Sequence, residues 1–159
     1  LLFMGSEFAQ NDEWRESQSL DWHLTQYGEH NGVQKLIAEI NAQYKNRASL
    51  WQKDIFSEGF QWLVGDDGAG NTLAFVRWSE TGEPLISLTN FSPVPHESYR
   101  LPLPVSGEWH EILNTDDMSY GGSGVGNQTI VVTNEEHRGC AQSALMRVPP
   151  LATIWLAKK

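Results

Sequence analysis

Two textures of hydrophobic and polar positions divide the chain near residue 50. Leu1–Gly5 is a short apolar run, the kind that forms a strand buried on both faces as in a parallel sheet. Ser6–Glu29 is rich in Glu, Asp, Gln and Asn and follows neither a period of 2 nor one of 3.6, so it reads as a long loop. Trp14, Leu20 and Trp22 give that loop apolar anchors and argue against disorder. Asn31 is placed to cap a helix, with Gln34 at the third helical position in an approximate capping box. Val33, Leu36, Ile37, Ile40 and Tyr44 then recur at i, i+3, i+4, i+7 and i+11, which predicts one buried face on a helix ending near Asn46–Arg47.

Beyond Trp51 the pattern changes to short strands separated by turn signals. The predicted strands are Phe60–Val64, Thr72–Trp78, Leu85–Asn90, Tyr99–Leu103, Glu108–Leu113, Thr129–Thr133, Ser143–Val148 and Thr153–Leu156. Glycine- and proline-rich links between them point to an antiparallel β-sandwich. In Thr72–Trp78 alternation puts Leu73, Phe75 and Arg77 on one face and Ala74, Val76 and Trp78 on the other. Both faces are largely apolar, so this strand reads as central and Trp78 as buried. In Glu108–Leu113, Trp109 and Glu111 share a face opposite His110 and Ile112, which makes Trp109 the better exposed aromatic. The expected organisation is residues 1–50 as a strand, loop and helix, and residues 51–159 as an all-β sandwich. One strand and one helix are half of a β/α unit and cannot make a sheet alone, so their partners are expected upstream of Leu1.

Composition narrows the function classes. The net charge of −9 repels phosphate backbones and argues against a nucleic-acid partner. No apolar run approaches the roughly 20 residues of a membrane span, and the start lacks the features of a signal peptide. Cys140 is the single cysteine, which excludes an internal disulfide and fits a reducing, cytoplasmic setting. Seven tryptophans among 159 residues raise two readings. They pack a core, or some of them stack on the apolar face of a sugar ring.

The motifs that could carry chemistry are few. Glu7 stands just past the first apolar run; were that run a strand of a β/α barrel, its C-terminal end would face the active site. Asp12, Glu13, Glu16 and Asp21 are further acids in the same loop. The segment N-T-D-D-M-S-Y-G-G-S-G-V-G-N (Asn114–Asn127) fails as a phosphate loop, because Asn127 stands where a glycine is needed and a strand follows where a helix is needed. It also lacks the ligand spacing of a calcium loop. His137 and Cys140 make one H-x-x-C pair with no second pair nearby, too few ligands for zinc. No metal and no cofactor is expected.

L-L-F-M-G-S-E-F-A-Q (Leu1–Gln10), E-W (Glu13–Trp14) and S-L-D-W-H-L (Ser19–Leu24) resemble the last barrel strand and following loop of α-1,4-glucan branching enzymes, a family of the α-amylase superfamily. G-V-Q-K-L (Gly32–Leu36) is similar to that family's final barrel helix. N-F-S-P-V-P (Asn90–Pro95) and the Asn114–Asn127 segment are similar to its C-terminal β-domain. The M-G-x-E-F segment is shared more widely in the superfamily, whereas Y-G-G-S-G-x-G-N is more specific to bacterial glycogen branching enzymes.

The resemblance implies that Leu1–Gly5 is the eighth strand of a (β/α)8 barrel and that the fold class is mainly β, a sandwich preceded by the last β/α unit of that barrel. It implies an α-glucan partner, with cleavage of an α-1,4 bond through a covalent glycosyl-enzyme and transfer to a 6-hydroxyl. The aspartate nucleophile, glutamate acid/base and second aspartate of the family fall on earlier strands, so no catalytic residue is expected in this chain. It places Glu7 at the active-site rim, with Trp14 and Asp21 lining or bracing the rim and Trp22 anchoring the loop. Without neighbours, Leu1–Gly5 is expected to be poorly ordered or paired with another copy. The rival expectation is a glucan-binding module that uses exposed aromatics among Trp62, Trp78 and Trp109. Solvent exposure of those rings separates the two.

Overall fold

The computed structural model describes residues 3–159. Each of the eight predicted strand segments is a strand: β1 (Phe60–Asp67), β2 (Thr72–Trp78), β3 (Pro84–Asn90), β4 (His96–Leu103), β5 (Trp109–Asn114), β6 (Val131–Thr133), β7 (Gln142–Val148) and β8 (Ala152–Lys158). They form a five-stranded sheet in the order β1-β2-β3-β8-β5 and a three-stranded sheet in the order β4-β7-β6, and every pairing is antiparallel.

The two sheets close on each other because one face of each strand is apolar. Val76, Ile86, Leu88, Ile154 and Leu156 of the larger sheet pack with Leu101, Leu103, Ala144, Met146 and Val148 of the smaller one, all buried. Each of the Val, Leu, Ile and Met side chains contributes roughly 1.5–3 kcal/mol by leaving water. β2 is paired on both sides, and Trp78 is half-buried against this core.

The larger sheet has a second, outward face that is also partly covered. Leu85 and Ser87 of β3 are buried there, and the 3-10 turn Ala48–Leu50 lies against β2 and β3. A bulge in β5 between Glu111 and Leu113 sets Leu113 opposite Trp155, which moves it onto that outward face, where it too is buried. The result is a layered molecule with a small sheet, a large sheet and a helical segment.

The helical segment departs from expectation at its ends. The helix α1 runs Gly28–Asn46, four residues longer at its start than the Asn31 cap implied. Tyr27 is the capping residue, with no side-chain cap bond. Asn31 is already helical, its backbone N–H donating to the Tyr27 carbonyl at 2.9 Å, so its side chain is unable to serve as a cap. Glu29 supplies a negative charge in the first turn, where the helix dipole favours one. The strand expected over Leu1–Gly5 is absent from its described part. Leu1 and Leu2 lie outside the described residues, and Phe3–Gly5 leads through a turn into a 3-10 helix at Ser6–Phe8. A parallel strand needs a neighbour to take its backbone bonds. Here the Gly5 amide instead donates to the Glu7 carboxylate at 3.0 Å, and the Ser6 amide to the Phe3 carbonyl at 2.9 Å.

The apolar stripe of α1 is only half-covered: Val33, Leu36, Ile37 and Ile40 are intermediate in exposure and Tyr44 is 48% exposed. Its buried residue is Gly32, against which the backbone of Tyr120 packs. A Cβ on Gly32 would lie 2.3 Å from the Tyr120 carbonyl oxygen, whereas one on Gly28 would meet nothing within 4 Å. No helix among the described residues is long and apolar enough to cross a membrane.

One polar cluster ties the two sheets at an end of the sandwich. The Thr72 hydroxyl donates to Asp67 Oδ2 at 2.7 Å and lies 2.7 Å from the Tyr99 hydroxyl of β4, which donates to the same carboxylate oxygen at 3.2 Å. The Gly70 amide donates to Asp67 Oδ1 at 2.9 Å. The Thr72 bond foremost holds the Asp67 carboxyl below its ordinary value, and burial pushes the Tyr99 phenol up.

Gly32→Ala is expected to cost about 1–3 kcal/mol in urea unfolding, because the added methyl meets backbone, while Gly28→Ala is expected to leave stability unchanged or slightly raised. A depressed carboxyl pKa gives stability that is fully present above the ordinary carboxylate value of 3.8 and is lost as pH falls through the lower folded value. Asp67→Asn is therefore expected to flatten the acid limb of a thermal-stability profile recorded between about pH 5 and pH 2. An unchanged acid limb would show that Asp67 does not link folding to protons.

Candidate functional site

Three places carry the residues singled out by the sequence. The first is the segment before α1. Phe8 is fully buried beneath Trp22, with ring centroids 5.0 Å apart, and its carbonyl is 2.9 Å from His30 Nδ1. Gln10 ties the segment together: its amide oxygen accepts from the Asp21 backbone N–H at 2.9 Å, and its amide nitrogen donates to the Asp12 carbonyl at 2.9 Å. Glu7 is half-buried and folded back on Gly5, which adopts a φ of 88°. Trp14 is half-buried and stands edge-on to Phe3 at 6.3 Å. Asp21 precedes the 3-10 helix Trp22–Gln26. A cleft of about 450 Å³ opens beside this segment, lined by Phe3, Met4, Gly5, Gln10, Asp12 and Glu13 among others. Glu7, Trp14 and Asp21 belong to the segment but lie outside that lining.

The second place is aromatic. Trp109 was expected to be the exposed ring, and it is the buried one at 3% exposure. It sits opposite Lys158 on the face that carries Ile154 and Leu156 toward the small sheet, and its indole N–H donates to the Val105 carbonyl at 3.3 Å. Alternation alone could not tell which of the two faces of β5 is inward. A ring so enclosed cannot serve as a stacking platform. The exposed ring is Trp62 of β1, 54% accessible. Trp62 pairs with Phe75 across the β1–β2 ladder, and Phe60 packs on both, with ring centroids 4.9 Å to Trp62 and 5.3 Å to Phe75. The three rings form a cluster on the outward face of the large sheet. Trp51, Ile55 and Phe56 extend the exposed apolar surface along the chain.

The third place is the glycine-rich loop, and its chemistry is internal. The buried Asp116 accepts from the Ser123 amide at 2.9 Å, the Ser123 hydroxyl at 2.6 Å and the Val125 amide at 3.1 Å. Gly122 passes so close to the Asp116 backbone that a Cβ there would fall 2.1 Å from the carbonyl oxygen. Asn114 and Asn127 both donate to the Glu111 carboxylate, at 2.9 and 3.0 Å. These acids and amides hold loop backbone. Asn90 does the same elsewhere: fully buried, it donates to the carbonyls of Val94 and Pro149 and accepts from the Ser92 amide, which fixes N-F-S-P-V-P against the β7–β8 turn. The H-x-x-C spacing is likewise a turn. His137 and Cys140 exchange both backbone hydrogen bonds around Arg138 and Gly139, each with positive φ.

This architecture is that of a C-terminal β-domain. Residues 62–159 match the alpha amylase C-terminal all-beta domain, and the chain belongs to that family. Among curated relatives, it is 48% identical over 158 residues to the 1,4-alpha-glucan branching enzyme GlgB of Thermobifida fusca. It is 45% identical over 155 residues to that of Pseudomonas syringae pv. tomato. These matches cover 98% and 97% of this chain and 21% of each relative, so the chain spans about a fifth of their length. A solved structure, the catalytic module of the multi-modular glycogen-degrading pneumococcal virulence factor SpuA with an inhibitor, has a TM-score of 0.56 at 10% identity. It covers 89% of this chain and 20% of that one, and shows a shared fold.

Proposed function

We propose that this chain is the non-catalytic C-terminal portion of a cytoplasmic α-1,4-glucan branching enzyme. In this reading residues 1–50 end the catalytic barrel and residues 51–159 are the β-domain that stabilises it. The observation that carries it is identity approaching one half, spread over nearly all of the chain, to the same part of enzymes bearing that name. The half-covered stripe of α1 supports it, because such a stripe is what a barrel helix offers to its neighbours. The full-length enzyme would cleave an α-1,4 bond through a glycosyl-enzyme and transfer the oligosaccharide to a 6-hydroxyl, with the reacting carboxylates supplied upstream. Glu7, Trp14 and Asp21 would meet or brace glucan at the rim of that barrel, with Gln10 holding their segment in place.

A second reading is favoured by one observation, the exposed Phe60–Trp62–Phe75 cluster. An indole open on one side and fixed on the other by edge-on rings is a preorganised surface for the apolar face of a glucosyl unit. Here the β-domain would hold glucan itself.

The purified chain incubated with amylose is expected to form no α-1,6 linkages; any branching would place catalytic groups in this chain and overturn the first reading. Electrophoresis through an amylopectin gel tests the second. Retardation that maltoheptaose competes and that Trp62→Ala reduces severalfold is expected if the cluster binds glucan. Mobility identical with and without amylopectin would leave the β-domain a purely structural role.

A further inference from the structure

Gly5–Gln10 is a closed loop of backbone with a left-handed residue on each side of its 3-10 turn. The Gln10 amide donates to the Gly5 carbonyl at 2.9 Å and the Ala9 amide to the Ser6 carbonyl at 3.2 Å. Gly5 has a φ of 88° and Ala9 a φ of 54°. Glycine adopts such an angle freely, but a residue with a Cβ is disfavoured there and persists only where its surroundings hold it. Ala9 is itself exposed, so its own side chain does no holding. The residue before it is the one fixed. The Phe8 ring is fully buried against Trp22, and the Phe8 carbonyl receives the His30 ring. No backbone amide among the described residues donates to that carbonyl. A carbonyl only accepts, so the His30 Nδ1–H is the donor, at 2.9 Å.

His30 acts from a braced position. It lies in the first turn of α1, and Gly32 follows two residues later, roughly 200° around the helix axis. The start of the helix is therefore wedged between two backbones, Phe8 on one side and Tyr120 on the other. The Tyr120 side is held in turn, because the Asp116 carboxylate accepts from the Ser123 amide and hydroxyl and from the Val125 amide across the same loop. These contacts make the start of α1 a spacer between the glycine-rich loop of the sandwich and the Gly5–Gln10 loop. Glu7 stands inside the latter, half-buried, with its carboxylate 3.0 Å from the Gly5 amide.

We propose that His30 is a positioning residue for glucan branching. Its bond to the Phe8 carbonyl holds the Gly5–Gln10 loop so that the Glu7 carboxylate keeps its place at the barrel rim, and the glycine-rich loop braces His30 through α1. The proposal rests on the reading of this chain as the end of a branching enzyme. His30 itself touches no glucan and moves no proton in it. A misplacement of about 1 Å costs on the order of a hundredfold in rate, so one lost bond at the rim is expected to cost about tenfold.

The test uses the Thermobifida fusca enzyme with its matching fifth replaced by this chain, assayed for α-1,6 linkages formed on amylose. Rates are compared where circular dichroism shows each chimera folded. His30→Leu is expected to lower kcat/KM about tenfold, and His30→Asn, whose amide N–H can stand where Nδ1–H stood, to stay within about threefold of wild type. Glu7→Gln is expected to cost about tenfold too, and the double variant Glu7→Gln/His30→Leu no more than the worse single change, because both act through one carboxylate. Equal activity of His30→Leu and wild type, or losses that multiply to about a hundredfold in the double variant, would overturn the positioning role and leave the branching-enzyme reading intact. A folded wild-type chimera that forms no branches would overturn that reading and the proposal with it. A second measurement needs no barrel. In the 159-residue chain, amide hydrogen exchange at Ala9 and Gln10 is expected to quicken about tenfold in His30→Leu and not in His30→Asn. Unchanged exchange in both would overturn the hold of His30 on the loop.

Discussion

The contact between the two sheets is the interaction from which the remaining features follow. Val76, Ile86, Leu88, Ile154 and Leu156 must face Leu101, Ala144, Met146 and Val148, so the phase of every strand is set. That phase sends Trp109 inward and Trp62 outward. It also turns a second face of the large sheet, with Leu85, Ser87 and Phe75, toward the helical segment. One residue of slip in either sheet would exchange the faces and expose the core. The bulge in β5 is the place where the phase is deliberately broken, and it gives Leu113 to the outward face.

The helical segment depends on the sandwich through close backbone contact more than through a large apolar interface. Tyr120, at the tip of the loop organised by Asp116, packs on Gly32 in the second turn of α1. The loop's geometry and the helix's position are therefore one structural problem. Glycine at position 32 is needed for approach, not for an unusual φ. The stripe of Val33, Leu36, Ile37 and Ile40 stays half-exposed, and Trp51, Ile55 and Phe56 further along the chain are exposed. Exposed apolar residues on an otherwise well-packed domain are what an interaction face would offer.

Much of this was legible in the sequence, and what was not has identifiable causes. The strands were readable because turn residues bracket β-branched and aromatic runs, as in Thr72–Trp78. The helix was readable from its stripe, although its start was not, because Asn31 looks like a cap and Tyr27 does not. Periodicity reports that two faces differ without saying which is inward, and Trp109 was misplaced for that reason. The roles of Asn90, Asp116 and Glu111 were beyond reach of spacing, since each bonds backbone brought close by a loop rather than by a period. The Phe60–Trp62–Phe75 cluster was beyond a simple pairing of β1 with β2 through the G-D-D-G-A-G-N turn, because two register shifts set Trp62 opposite Phe75 where an unbroken ladder would set it opposite Arg77.

The central proposal is that the open face of α1 is closed by the upstream part of a branching enzyme. Sedimentation of this chain mixed with the Thermobifida fusca enzyme, cut back to the four-fifths preceding its matching region, tests that claim most directly. The account predicts a one-to-one complex that does not form when Ile40 and Tyr44 are changed to lysine. Separate sedimentation of the two, each shown folded by circular dichroism, would contradict it.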